Sequence, residues 1–122
     1  MVIEIDFNSD EAIYIQLRNQ IIVGIATSQL KEGESLPSVR SLADEIGINM
    51  HTVNKAYTTL RQDGFLRVDR RKGAVVAVDI NKLNTMEKMK TLLRPLVASA
   101  MVKGITKEET TKIISDIYEE LG

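Results

Sequence analysis

The amino-acid sequence predicts a mainly α fold with one small β-hairpin: a head of three helices and the hairpin, then a tail of helices. Three observations predict it. Apolar residues recur at three- and four-residue steps in separate stretches, two β-prone runs flank a basic turn, and glycine or proline punctuates most junctions. The chain has 122 residues, 27% charged and 43% hydrophobic. That suits one compact domain with a small appendage and excludes two large domains.

The first helix is expected to begin after Ser9 and Asp10, whose short polar side chains suit an N-cap, with Tyr14, Leu17, Ile21 and Ile25 as its apolar stripe. Its pattern ends near Ser28. Lys31-Glu32-Gly33-Glu34 reads as a polar turn, and Pro37 keeps helix from running on through Leu36. Ser38 caps a second helix with the stripe Val39, Leu42, Ala43 and Ile46, and Gly47 stands where a left-handed residue ends it. Asn49 then caps a third helix, whose stripe of Val53, Ala56, Tyr57 and Leu60 is stopped by Gly64. Two short helices meeting at a tight, glycine-bearing turn form the outline of a helix-turn-helix, in which the second helix enters the major groove of DNA. Residues 65–68 and 74–78 are β-prone and joined by Asp69-Arg70-Arg71-Lys72-Gly73, which predicts a hairpin with a basic tip.

From Asn81 the pattern is helical again, with Met86, Met89, Leu93, Leu96, Val97 and Ala100 on one face. Pro95 falls inside it and predicts either a kink or two shorter helices meeting. Gly104 closes this stretch. Thr106-Lys107-Glu108-Glu109 has the form of a capping box, opening a last helix with the stripe Thr110, Ile113, Ile114, Ile117, Tyr118 and Leu121. The expected division is residues 1–80 as head and residues 81–122 as an αα-hairpin tail.

Composition removes several function classes. No cysteine occurs, so disulfides, cysteine nucleophiles, iron–sulfur clusters and thiolate zinc sites are excluded, and a single histidine offers little to a metal. No cofactor is expected. The longest apolar runs fall far short of the ~20 residues a membrane span needs, and an acidic start with Glu4 and Asp6 lacks the order of a signal peptide. A cytoplasmic protein with no membrane partner is expected. The formal net charge of −1 conceals an uneven distribution. Residues 1–35 hold two basic against six acidic residues, residues 36–78 seven against four, and residues 79–122 seven against seven.

The basic middle third supplies the candidate site. At 100° per residue, His51, Lys55 and Thr58 lie nearly opposite the stripe of the third helix, with Thr52 and Asn54 beside them. These side chains can enter a groove and donate to bases or phosphates, whereas a carboxylate there is repelled. Residues 49–62 contain no Asp or Glu. The competing reading is an ordinary solvated face. Arg70, Arg71 and Lys72 are consecutive, and Gly73 lets the backbone turn, which suits the phosphates of an adjacent minor groove; edge hairpins also use such charge against aggregation. Ser38 and Arg40, in the first turn of the second helix, suit a phosphate, or simply a cap and a surface arginine. The candidate DNA contacts are thus Ser38, Arg40, Asn49, His51, Thr52, Asn54, Lys55, Thr58, Arg70, Arg71, Lys72 and Gly73.

Leu36-Pro37-Ser38-Val39-Arg40-Ser41-Leu42-Ala43, Ile48-Asn49-Met50-His51-Thr52-Val53-Asn54-Lys55-Ala56-Tyr57 and Leu60-Arg61-Gln62-Asp63-Gly64-Phe65-Leu66 together resemble the winged helix-turn-helix of the GntR family of bacterial transcription regulators. Asn49-x-x-Thr52-Val53, Ala56-Tyr57 and the short helical tail are similar to its YtrA-type subfamily. The resemblance implies a transcription regulator whose tail dimerises in place of a large effector-binding domain, and whose gene often neighbours an ABC transporter. It implies DNA contacts at Arg40, His51, Thr52, Asn54, Lys55 and the wing residues Arg70, Arg71 and Lys72. The family usually has arginine where Met50 stands and often where Asn54 stands, and commonly a Gly-x-Gly wing turn where this chain has Arg71-Lys72-Gly73.

A homodimer on a palindromic operator is expected, because one small reading head gains affinity when a second is joined to it. The candidate dimerisation residues are Met86, Met89, Leu93, Leu96, Val97, Ala100, Ile113, Ile117 and Leu121, a stripe too extensive for so short a chain to bury against its own core. A tail folded onto its own head is the competing arrangement. The expected action is repression by occupying a promoter; the alternative is a winged-helix module for protein or RNA contact. The sequence does not identify an effector or say whether one exists; without a separate sensory domain, one could act only through the tail or its junction near residues 79–85. Catalysis is not expected, since adjacent helical carboxylates such as Asp44 with Glu45 or Glu108 with Glu109 diverge, and His51 has no predicted partner.

Overall fold

A computed structural model describes residues 2–122. Its elements are α1 (Ile13–Ala26), α2 (Val39–Ile46), α3 (Met50–Gln62), β1 (Leu66–Asp69), β2 (Gly73–Val76), α4 (Lys82–Val102) and α5 (Lys107–Leu121). The chain forms two compact units, one ending at Asp79 and the other beginning at Ile80.

In the first unit the stripes of three helices converge on one core. Leu17 and Ile21 from α1, Leu42 and Ala43 from α2, and Val53, Ala56, Tyr57 and Leu60 from α3 are buried, with Leu30, Leu36, Leu66 and Val76 closing the sides. Each fully buried aliphatic side chain contributes about 1.5–3 kcal/mol, and this shared burial sets the roll of every helix about its axis. Tyr14, Ile25, Val39 and Ile46 pack around the edge, half-buried.

The α2–α3 turn follows from its caps. Ser38 Oγ accepts from the Ser41 amide at 3.1 Å, and Asn49 Oδ1 accepts from the His51 amide at 2.8 Å, satisfying donors that helix starts leave open. Gly47 ends α2 at φ 80°, ψ 38°, which glycine adopts without the strain of a Cβ. Only Ile48 separates it from the next cap. The start of α1 differs from expectation: the N-cap position is Ala12, with no side-chain cap. Ser9 Oγ is engaged instead with the Glu11 amide at 3.1 Å, and Asp6 with the Asn8 amide at 2.9 Å, so these polar residues build a turn ahead of the helix. Gln16 then reaches back, donating to the carbonyls of Asp6 and Glu11.

The strands pair antiparallel, from Leu66 opposite Val76 to Asp69 opposite Gly73. Phe65 and residues 77–78 lie just outside them, a small shift from the predicted runs. The larger difference is a third extended segment. Ser35 bridges Val75, the Val76 amide donates to the Glu34 carbonyl at 2.9 Å, and the Leu36 amide donates to the Ala74 carbonyl at 2.8 Å. The stretch after α1 therefore protects the far edge of β2, where a polar turn alone was expected. Three helices with this small sheet make a winged helix-turn-helix.

In the second unit, Asn81 caps α4 by accepting from the Asn84 amide at 3.1 Å. The helix runs through Pro95 without interruption, so the alternative of two shorter helices does not hold. Gly104, at φ 82°, ends the turn after it. The capping box forms as predicted: Thr106 Oγ1 accepts from the Glu109 amide at 3.1 Å, and Glu109 Oε1 accepts from the Thr106 amide at 3.0 Å. Among the described residues, none on α4 or α5 is buried. No helix among them is long and apolar enough to cross a membrane.

Candidate nucleic-acid interface

The core stripe of α3 decides what its other face presents. His51, Asn54 and Lys55 are exposed, and Thr52 and Thr58 half-buried. Asn49, also exposed, is committed through its side chain to the cap. Lys55 does not extend freely: its Nζ lies 4.1 Å from the ring centroid of Tyr14 on α1.

These residues divide between two depressions. The first is a groove between the start of α2, the middle of α3 and the hairpin, bringing together Ser38, Asn54, Thr58 and Gly73 with Arg61 and Arg67. The second lies where the first turns of α1 and α3 meet and gathers Asn49, His51, Thr52 and Lys55 with Ile13 and Tyr14. Arg40, Arg70, Arg71 and Lys72 line neither and stand exposed beyond them. Arg61 and Arg67 were absent from the candidates read off the sequence. Arg61 carried a usable signal, since it stands seven residues after Asn54 and three after Thr58, on one helical face. Arg67 carried none, because its place in the groove depends on how the hairpin packs.

Tyr57 forms part of the groove wall. Its hydroxyl donates to the Pro37 carbonyl at 2.8 Å, tying α3 to the residue before the α2 cap. Burial pushes its pKa well up, so the phenol stays neutral and remains a donor. At the hairpin tip, Asp69 Oδ1 accepts from the Arg71 amide at 2.8 Å and the Lys72 amide at 3.0 Å. Those backbone hydrogen bonds, first from Arg71 and then from Lys72, hold the Asp69 carboxyl below the usual carboxylate range. The same carboxylate meets Arg67 at 3.4 Å. A tip with three consecutive cations is thus shaped from below by one anion.

The surface is electrostatically one-signed along α3. The nearest acidic residue in sequence, Asp63 at the C-cap, pairs with Arg18 of α1 at 3.1 Å and so does not oppose the cations. No carboxylate lines the His51 depression. Among the described residues no cluster of His, Cys, Asp and Glu is suited to hold a metal ion. The arrangement offers cations, hydroxyls and amides to an anionic, grooved partner.

Comparison with known proteins agrees. Residues 10–76 match the family described as bacterial regulatory proteins, gntR family. The chain is 32% identical to the transcriptional repressor YtrA of Bacillus subtilis over 98% of its own length and 95% of that protein. A solved structure of YtrA from Sulfolobus acidocaldarius, a GntR-family transcription factor, is 38% identical, with a TM-score of 0.69 over 84% of this chain and 99% of that one. A transcriptional antiterminator from Listeria monocytogenes EGD-e is 27% identical, with a TM-score of 0.89 over 99% of this chain and 92% of that one. The matched segment spans the helix-turn-helix and its wing, and the relatives share the tail as well: the chain belongs to the gntR family of DNA-binding transcriptional regulators and is of the YtrA type.

Proposed function

We propose that this regulator is a cytoplasmic repressor that binds a palindromic operator as a homodimer and controls its own operon, with an ABC transporter among the regulated genes. The observation that carries the DNA reading is the carboxylate-free, exposed face of α3 beside a basic wing. Asn49, His51, Thr52, Asn54, Lys55 and Thr58 form the surface that enters the major groove, Ser38 and Arg40 at the start of α2 meet a phosphate, and Arg70, Arg71, Lys72 and Gly73 meet the neighbouring backbone. Arg61 and Arg67 join them in the groove beside the wing. The 32% identical YtrA of Bacillus subtilis, itself a transcriptional repressor, supports the repressor role; the transporter link rests on what the YtrA-type resemblance implies.

The proposed division assigns reading to residues 1–80 and pairing to residues 81–122. Support for pairing comes from the tail: Met86, Met89, Leu96, Val97, Ile113 and Ile117 are exposed, and Leu93, Ala100 and Leu121 half-buried. An apolar stripe of this extent on a single chain favours burial against a second copy.

Duplex binding measured across a salt series tests the reading. Lys55→Ala and an Arg70→Ala/Arg71→Ala double variant are each expected to weaken binding and flatten the dependence on salt, by about 0.9 in log–log slope for each phosphate no longer neutralised. Unchanged affinity and slope in both contradict DNA recognition through this face. Constant reporter expression after deletion of the gene contradicts repression.

A further inference from the structure

We infer that Tyr14 is a positioning residue of the DNA interface: its ring holds Lys55 in the place where the ammonium meets a phosphate, so that α1 contributes to recognition. The inference rests on the proposal that the α3 face binds DNA, and adds to it a residue from outside the helix-turn-helix.

The geometry points to a held side chain. Lys55 Nζ lies 4.1 Å from the centroid of the Tyr14 ring, within the range at which an ammonium is attracted to the negative face of an aromatic ring. Lys55 is exposed on α3 and Tyr14 half-buried on α1. The flexible cation therefore rests on the more fixed partner. Tyr14 is anchored by the core it packs against, and the first turns of the two helices meet around it at Ile13, Asn49, His51 and Thr52.

The chemistry gives this pairing a use. An ammonium has three N–H donors and the ring engages one side of it, so donors remain for a phosphate oxygen. A free lysine samples many rotamers and loses them on binding; one already restrained loses fewer, which strengthens the complex without any added interaction. No carboxylate among the described residues pairs with Lys55, so its charge stays available. A ring keeps the lysine in place without neutralising it, which a salt bridge would not.

The test uses the full chain and a mixed-sequence duplex of about 30 base pairs, followed by fluorescence anisotropy across a salt series. Tyr14→Leu is expected to lose about two- to five-fold in affinity for each head while keeping the wild-type salt slope, since the charge is still present. Tyr14→Phe keeps the ring and is expected to bind like wild type. Adding Tyr14→Leu to Lys55→Ala is expected to cost nothing further. Losses that multiply in the double variant, or a Tyr14→Leu protein that binds like wild type, overturn the inference. Tyr14→Phe as weak as Tyr14→Leu also overturns it, and assigns the phenol hydroxyl to DNA instead. If Lys55→Ala leaves affinity and slope unchanged while the Arg70→Ala/Arg71→Ala variant weakens binding, this inference fails alone; if both variants are unchanged, the DNA reading fails with it. A measurement on unaltered protein guards against a misfolded variant: the Lys55 ε-methylene protons are expected to show an upfield ring-current shift by NMR, and their appearance at ordinary positions overturns the pairing.

Discussion

The head and the tail use the same kind of amphipathic helix and reach opposite ends. In the head, every predicted stripe finds partners, and Leu17, Ile21, Val53, Ala56 and Leu60 are sealed from solvent. In the tail, stripes of similar spacing stay open: Leu96 is 64% exposed, Ile113 55% and Met86 53%. Periodicity says which face of a helix is apolar. It does not say whether that face is filled from within the chain or from a second one.

The contrast is testable from its strongest consequence downwards. Leu60→Ala in the head is expected to cost about 2–5 kcal/mol in unfolding free energy, measured by urea denaturation, because a sealed site cannot collapse around the void. Ile117→Ala in the tail is expected to stay within about 0.5 kcal/mol for dilute protein; an equal loss at both sites erases the distinction. If the proposed pairing of tails is right, Ile113→Asp with Ile117→Asp weakens self-association at least about ten-fold, equivalent to 1.4 kcal/mol, in sedimentation equilibrium, with the head's fold unchanged by circular dichroism. Wild-type protein that sediments as a monomer at micromolar concentration, alone and with DNA, goes against the dimer.

Smaller effects sharpen the comparison within the head. Tyr57→Phe removes the bond to the Pro37 carbonyl and is expected to cost about 1 kcal/mol in the same denaturation assay, leaving the core in place. The last test is pH. Asp69 in the wing and Glu109 in the tail both have carboxyls held below the usual range, chiefly by backbone amides, Arg71 for the first and Thr106 for the second. Each therefore supports its turn fully above the ordinary carboxylate pKa and loses that support as pH falls through its own lowered value. The Arg71 and Lys72 amide resonances are expected to titrate below the ordinary carboxylate range, and Asp69→Asn, which keeps a carbonyl acceptor, to abolish that titration while preserving the turn.

Much of this was legible because it is local. The caps at Ser38 and Asn49, the left-handed Gly47 and the Thr106–Glu109 box each depend on residues within a few positions of one another, and the four-residue rhythm picked out the core. What escaped was non-local. The partner of Ser35 is Val75, forty residues away, and nothing in Lys31-Glu32-Gly33-Glu34 alternates to announce a strand. Ser9 was available as a cap, but its hydroxyl satisfies Glu11 first. The candidate contacts were chosen one helix at a time, so the sequence placed Lys55 on an outward face without the Tyr14 ring that meets it across α1, and left Arg67 out of the groove its hairpin helps to form.

The bond from Tyr57 to Pro37 has a mechanical corollary. Together with the Arg18–Asp63 bridge it ties α3 to its neighbours at two points, like a strut fixed at the middle and the heel. A body braced in this manner resists internal shear, so the outward face of α3 keeps one attitude to the core beneath it.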